Sequence, residues 1–170
     1  MEIEFSRGVL GWIVVIGVFV ALALVGRAVT PADGSGGVLV LSPSYVATVR
    51  YLKIAQRWLE QMENVEGKIK NVLEGQGNFY RQGQEAESAF ESAASIARSI
   101  RQRQPPLALL SLQSAVDDTA NLYVEAARRT LAYVSEPSDE NKAAAFAALE
   151  KAGQKRLASE TLQEGMWPTR

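Results

Sequence analysis

The segment 52–73, LKIAQRWLEQMENVEGKIKNVL, decides the fold class of this chain. Its apolar residues recur at intervals of three and four, which is the spacing of a helix that buries one seam against other helices. Glu66 falls where this seam predicts an apolar residue. Glu66 is either a buried polar residue that specifies how the helices align or, as we favour, lies off the seam because the seam shifts slightly around the helix and brings Val65 inward. The seam residues are Leu52, Ala55, Leu59, Met62, Ile69 and Leu73.

Three further segments carry helical spacing, and short breaks rich in glycine, proline or serine separate them. We expect helices from 44 to 74, from 79 to 103, from 106 to 134 and from 138 to 165. Their similar lengths, short turns and lack of strand-like alternation are typical of an antiparallel up-down four-helix bundle. The predicted inner residues after the first helix are Ala86, Ala89 or Phe90, Ala93, Ile96 or Ala97, Ile100, Leu109, Leu112, Val116, Ala120, Tyr123, Ala127, Leu131, Val134, Phe146, Leu149, Ala152 and Leu157.

An uncharged run, GVLGWIVVIGVFVALALVG, precedes the bundle at Gly8–Gly26. As a helix it is roughly 28 Å long, close to the ~30 Å hydrocarbon core of a bilayer. We therefore predict an all-α chain with a short N-terminal tail (1–7), a single N-terminal transmembrane helix (8–30) and an extended or flexible linker (31–43). The bundle follows at 44–165, and a C-terminal tail occupies 166–170.

Two other interpretations of this run were weighed. A cleavable signal peptide usually has a shorter apolar core of about 7–15 residues. A buried core helix is seldom apolar on every face over such a length. An uncleaved anchor is therefore favoured, with Trp12 and Arg27 as interface anchors. Gly17 and Ala21 are spaced for close packing on another membrane helix, although plain contact with lipid is an equal alternative.

The flanking charges say little about orientation. Arg7 is the only basic residue before the run, so the positive-inside rule barely distinguishes between the two possible orientations of the membrane helix. A very short tail before a long domain favours a cytoplasmic N-terminus with the bundle on the other side, as in a bacterial-type inner membrane. Up-down connectivity would then bring Trp167 and three arginines back to the bilayer. Trp167 is either an interface anchor or a plug at the end of the bundle, and Arg98, Arg101 and Arg103 are candidate contacts for lipid headgroups.

Composition excludes several kinds of chemistry. The chain has no Cys and no His, which excludes disulfides, thiol catalysis and zinc sites built from those residues. No catalytic motif is present, so we predict no enzyme activity and no cofactor. The net charge is −1, and the basic residues form no continuous stripe, so nucleic-acid binding is not expected.

The predicted function is therefore that of a non-catalytic accessory or scaffolding subunit of a larger membrane protein complex. Its expected partners are other integral membrane subunits and membrane lipids, with no small-molecule substrate identified. The alternative is a membrane-anchored extracytoplasmic sensory or ligand-binding bundle. The short apolar run Val38–Leu41 would contact the membrane, a partner or the bundle itself.

Overall fold

The computed structural model describes residues 43–75 and 78–167, and within these ranges the chain forms four α-helices, one 3-10 turn and no strand. The all-helical class is thus confirmed. The predicted tail 1–7, membrane helix 8–30, nearly all of linker 31–43 and the last three residues lie outside the described residues. None of the four helices combines the length and the apolar character needed to cross a bilayer. The helices are α1 (Pro43–Glu74), α2 (Phe79–Arg101), α3 (Leu110–Ser135) and α4 (Asp139–Gly165), with the 3-10 turn at Leu107–Leu109.

Side-chain caps start two of these helices. The side chain of Asn78 accepts a hydrogen bond from the Tyr80 amide at 2.9 Å, which caps α2. Ser138 caps α4 by accepting from the Asn141 amide at 3.1 Å. Asp139 lies in the first turn of α4, where the helix dipole favours a negative charge.

The turn between α2 and α3 differs in detail from the prediction. α2 ends at Arg101 instead of Arg103, because the residue before a proline avoids the helical region and Pro105 and Pro106 follow closely. The chain then forms the 3-10 turn, in which the Leu109 amide donates to the Pro106 carbonyl oxygen at 2.8 Å. α3 continues directly from this turn.

Two contacts between α1 and α4 show how these helices are oriented relative to each other. Near the start of α1, the Gln163 side chain donates to the Leu52 carbonyl oxygen at 2.9 Å. Further along α1, the Arg156 Nε lies 3.5 Å from a carboxylate oxygen of Glu66. Since the α4 partner moves backwards as α1 advances, the two helices are antiparallel.

α1 and α3 each pack against all three of the other helices, so these two helices form the close diagonal pair of the described bundle. Arg101 at the end of α2 pairs with Asp117 near the start of α3 at 3.0 Å. At the other end of this helix pair, a methyl group added at Gly83 would lie 3.8 Å from the side chain of Val134. These contacts make α2 and α3 antiparallel as well.

The core follows the predicted seam of α1 closely. All six predicted seam residues of that helix are at most 1% exposed, and so is Val65, as the drift of the seam predicted. The prediction fails for Leu157 of α4, which is 57% exposed. The inner face of α4 follows Ala152 and Ser159, so Arg156 takes the inner position and Leu157 lies about 100° further round the helix.

Candidate functional site

A polar cluster interrupts the apolar core where three helices meet. The Tyr123 hydroxyl of α3 donates to a carboxylate oxygen of Glu66 on α1 at 2.7 Å. The Arg156 guanidinium of α4 donates to the same hydroxyl at 3.3 Å and lies 3.5 Å from Glu66. Tyr123 is fully buried, and the side chains of Glu66 and Arg156 are only 14% and 12% exposed. We call these three residues the polar core cluster.

Two further charged residues flank this cluster towards solvent. The Lys70 ammonium donates to the second carboxylate oxygen of Glu66 at 2.7 Å. The Arg156 guanidinium also pairs with Glu160 one turn further along α4. Gly153 supplies the space beside the carboxylate, since a methyl group there would lie 3.5 Å from Glu66. Glu66 is therefore paired with two cations, Lys70 and Arg156, and Arg156 with two carboxylates, Glu66 and Glu160.

These contacts shift the acidity of the cluster in a consistent way. Burial by itself raises the pKa of Glu66, but the bonds from Lys70 and Tyr123 and the charges of Lys70 and Arg156 outweigh burial, and the net pKa is lowered. Burial first, and then the hydrogen bond to Glu66, raise the pKa of Tyr123. Burial lowers the pKa of Arg156, but its bonds to Tyr123 and Glu160 reverse this effect.

The cluster is suited to fixing helix register and poorly suited to catalysis. A carboxylate whose pKa is held below its usual value is a weak general base near neutral pH. A buried charge whose partner is removed is strongly destabilising, so the three helices are favoured only in the alignment that joins Glu66 to Arg156. We assign the cluster a structural role on this basis.

The sequence contained half of the signal for this cluster. Glu66 stood out as a charged residue on an apolar seam. Arg156 has the same property on α4, but the prediction put Leu157 on the inner face and so moved Arg156 to solvent. Tyr123 was predicted as an apolar residue, and its hydroxyl carries no spacing signal.

A second polar layer lies between α3 and α4. The hydroxyl groups of Thr119 and Ser159 are 2.9 Å apart and both residues are at most 1% exposed. One hydroxyl donates to the other, and the accepting hydroxyl donates to a backbone carbonyl oxygen one turn back in its own helix, that of Ala115 for Thr119 or that of Lys155 for Ser159. These buried hydroxyls are therefore satisfied by protein groups and are not directed at an external ligand.

A third polar contact, centred on Gln113 of α3, joins α1 to the end of α2. The Gln113 side chain donates to the Ile100 carbonyl oxygen at 2.9 Å and accepts from the Tyr51 hydroxyl. Burial, opposed by the charge of Arg103, raises the pKa of Tyr51 to about 12. Tyr51 therefore remains a neutral donor at physiological pH.

An open groove with a volume of about 660 Å³ lies between α1 and α2. Lys68 crosses one end of it and donates to the hydroxyls of Ser88 and Ser92 at 3.0 and 3.2 Å. Most of the lining side chains are polar, and Trp58, Val65 and Ile96 are the apolar ones. The lining residues are Trp58, Gln61, Asn64, Val65, Lys68, Glu91, Ser92, Ser95, Ile96 and Ser99.

The predicted membrane contacts fall partly outside the described residues. Trp12, Gly17, Ala21 and Arg27 all lie there. Trp167 is half-buried and packs against the core.

The three predicted headgroup arginines lie at the end of α2 and just beyond it. Arg98, Arg101 and Arg103 are all exposed. Arg101 is already engaged by Asp117 at 3.0 Å and by Asn121. Arg98 donates to the Ala94 carbonyl oxygen within its own helix at 3.4 Å. The arginines are therefore accessible to lipid, but the charge of Arg101 is partly neutralised by α3.

No metal centre is evident in the part of the chain that the structure describes, where no three Asp or Glu side chains are grouped to hold an ion. Comparison with known proteins adds no relative: no protein family, curated protein or solved structure matches this chain. The function is therefore inferred from the residues of the chain itself.

Proposed function

We propose that this protein is a non-catalytic accessory or scaffolding subunit of a larger membrane protein complex. In this proposal residues 8–30 form a single transmembrane anchor, and the helical bundle braces an extramembrane face of the complex. The observation that carries the proposal is the run of 19 uncharged residues at Gly8–Gly26, bounded by Arg7 and Arg27. The partners are other integral membrane subunits and membrane lipids.

The bundle supports this proposal through the way in which it uses its polar groups. Glu66, Tyr123 and Arg156 bond to one another in the core, and Thr119 and Ser159 do the same. These groups fix the alignment of the helices by bonding to one another. A domain of fixed shape suits a brace between other proteins.

Orientation forms a further part of the proposal. The N-terminus lies in the cytoplasm and the bundle on the opposite side, as in a bacterial-type inner membrane. An up-down bundle returns Arg98, Arg101, Arg103 and Trp167 to the end from which the anchor leaves. The arginines then face anionic headgroups, which attract basic residues close to a membrane surface by about 1 kcal/mol each.

Co-purification tests the proposal directly. The chain is extracted from its native membrane with a mild detergent, and native electrophoresis is followed by mass spectrometry of the band that contains it. We expect co-migration with other membrane subunits, weakened by Gly17→Leu because the bulky side chain prevents close helix packing. Val15→Leu, which changes volume on another face of the helix, is the matched control. Migration of the parent chain alone as a monomer contradicts the proposal.

The groove between α1 and α2 supports a second candidate, a sensory or ligand-binding bundle. Lys68 and the neighbouring serines offer a cation and several hydroxyl donors to a small anion. The test is the melting temperature of the full chain with added phosphate, sulfate or acetate. A rise that disappears in Lys68→Met but persists in the control Lys53→Met favours this candidate, and the lack of any rise excludes these anions.

A further inference from the structure

Three segments of the bundle meet at one end, which we call the base. Gln163 of α4 bonds to Leu52 of α1, so these residues lie at the same level. At the neighbouring level, Gln113 of α3 bonds to the carbonyl oxygens of Ile100 and Arg103. The start of α1, the turn between α2 and α3, and the end of α4 therefore all lie at the base.

Exposed apolar side chains are concentrated at this base. Leu107 is 86% exposed and Leu110 is 54% exposed, which is unusual for two leucines on one turn. Across the described residues, eight large apolar side chains are exposed, and five of them belong to the base. The five are Tyr45, Val46, Leu107, Leu110 and Leu162; the others are Phe79 and Tyr80 at the opposite end and Leu157 on the side.

The turn that carries the two leucines is held firmly in place. Pro105 and Pro106 restrict the backbone before it, and the Leu109 amide donates to Pro106 at 2.8 Å. Leu109 itself is only 2% exposed and joins the core. With Leu109 inside, the same turn directs Leu107 and Leu110 outward, so their exposure is a property of an ordered element.

The base and the opposite end of the bundle differ in the charge of their residues. Arg98, Arg101 and Arg103 lie beside the exposed leucines at the base. At the opposite end, Glu136 lies between α3 and α4, and Asp139 and Glu140 lie in the first turn of α4. An apolar tip with adjacent arginines suits an anionic lipid surface, whereas acidic residues beside exposed aromatics do not.

The length of chain before α1 indicates what covers the base. The uncharged run ends at Gly26, and 16 residues, 27–42, separate it from Pro43. A fully extended chain of that length reaches at most roughly 55 Å, and a flexible one has an average span of about 20–25 Å. Since α1 begins at the base, a bilayer that contains the run lies within reach of the base.

We propose that residues 107–110, which comprise the 3-10 turn and the first residue of α3, insert into the interfacial region of the bilayer, with Tyr45 and Val46 beside them and Arg98 and Arg103 at the headgroups. The occupant of this apolar end is lipid. The bundle then has two attachments to the membrane, the anchor and its own base, which fix its tilt. This inference rests on the proposed membrane anchor.

The natural lack of cysteine allows a direct test, because each introduced cysteine is the only one in the chain. An environment-sensitive fluorophore is attached to single variants of the full chain in nanodiscs of mixed zwitterionic and anionic phospholipid, whose two faces are both open to added iodide. Leu107→Cys reports on the base and Val15→Cys on the anchor. Leu157→Cys and Tyr80→Cys are matched controls, since both sites are well exposed and lie away from the base.

We expect the labels at 107 and 15 to shift their emission to the blue and to lose quenching by iodide, while labels at 157 and 80 stay fully quenched. A label at 107 that is quenched like the one at 157, while the label at 15 is protected, overturns the insertion and leaves the anchor intact. Quenching at both 107 and 15 overturns the anchor itself. Protection at 107 that disappears when each nanodisc holds a single copy of the chain indicates a protein contact between copies and also overturns the inference.

Discussion

At the scale of single residues, two glycines in and after α1 are expected to change stability in opposite directions when each is replaced by alanine. Gly67 lies inside α1, and a methyl group there would meet nothing within 4 Å. Gly75 follows the end of α1, and a methyl group there would lie 2.6 Å from the Asn71 carbonyl oxygen. The first glycine only weakens the helix, whereas the second allows the close approach that ends it.

Gly67→Ala is therefore expected to raise the free energy of unfolding by about 0.5–1 kcal/mol, because alanine loses less backbone entropy in a helix. Gly75→Ala is expected to lower it, because the backbone must shift to relieve the contact. Chemical denaturation of the full chain in detergent, followed by helical circular dichroism, measures both. Equal effects of the two substitutions would contradict this account of the helix end.

The ionisation of Glu66 gives a second prediction at this scale. Its pKa in the folded chain is lowered from 4.5, with burial opposed by Lys70, Tyr123 and Arg156. The ionised carboxylate thus contributes stability above the unfolded pKa, and this contribution is lost as the pH falls through the folded pKa.

Glu66→Gln should therefore be less stable than the parent chain at pH 6, and the difference should shrink as the pH is lowered below 4.5. Unfolding free energies measured from pH 6 to pH 3 test this. Glu63→Gln is the control, because it removes an exposed carboxylate from the same helix outside the cluster. A difference that grows on acidification has the wrong sign for this cluster.

At the scale of elements, alanine allows α2, α3 and α4 to approach closely. Much of their buried surface consists of small side chains, which leave no space for larger ones. On α4, Ala145 is fully buried, while Ala143 two residues earlier is exposed. The fully or almost fully buried alanines of the three helices are Ala86, Ala89, Ala93, Ala97, Ala120, Ala126, Ala127, Ala145 and Ala152.

Ala145→Leu is expected to lower the free energy of unfolding by about 1–3 kcal/mol, because the larger side chain overpacks the interface. Ala143→Leu should change it by less than about 0.5 kcal/mol, as is usual for an exposed site. Thermal or chemical unfolding of the two variants provides the comparison. If both substitutions are tolerated equally, α4 does not pack as closely as described.

A comparison of α1 with α4 explains where the prediction of buried residues from the sequence succeeded and where it failed. On α1, large apolar residues such as Leu59 and Met62 alternate with charges, so the contrast between the two faces is high and the seam was predicted correctly. On α4, alanines at 143–145, 147 and 148 lie on every side, so the inner face has little contrast. The seam was consequently misplaced by one residue at Leu157, and Arg156 was missed.

At the scale of the whole molecule, the polar core cluster connects three helices that are distant in sequence. Glu66 and Arg156 are separated by 90 positions, and no local spacing rule connects them. The sequence predicts that each helix has an inner face. It does not predict which inner polar residues meet, because that depends on how all the helices align.

A double-mutant cycle measures this connection. Glu66→Met alone is expected to lower the free energy of unfolding by about 2–4 kcal/mol, because it leaves Arg156 and Tyr123 without their acceptor. The double variant Glu66→Met with Arg156→Met should lose less than the sum of the two single variants. Strictly additive losses would mean that the two charges do not stabilise each other.

The claim on which the proposed function depends is that residues 8–30 span a bilayer. Alkaline extraction of membranes that contain the full chain tests this most directly. We predict that the parent chain stays in the membrane pellet, and that Ile16→Arg with Val20→Arg moves it to the supernatant, because each charge at the centre of a span costs about 2.5–3.5 kcal/mol. Release of the parent chain by alkali, to the same extent as this double variant, would contradict the account.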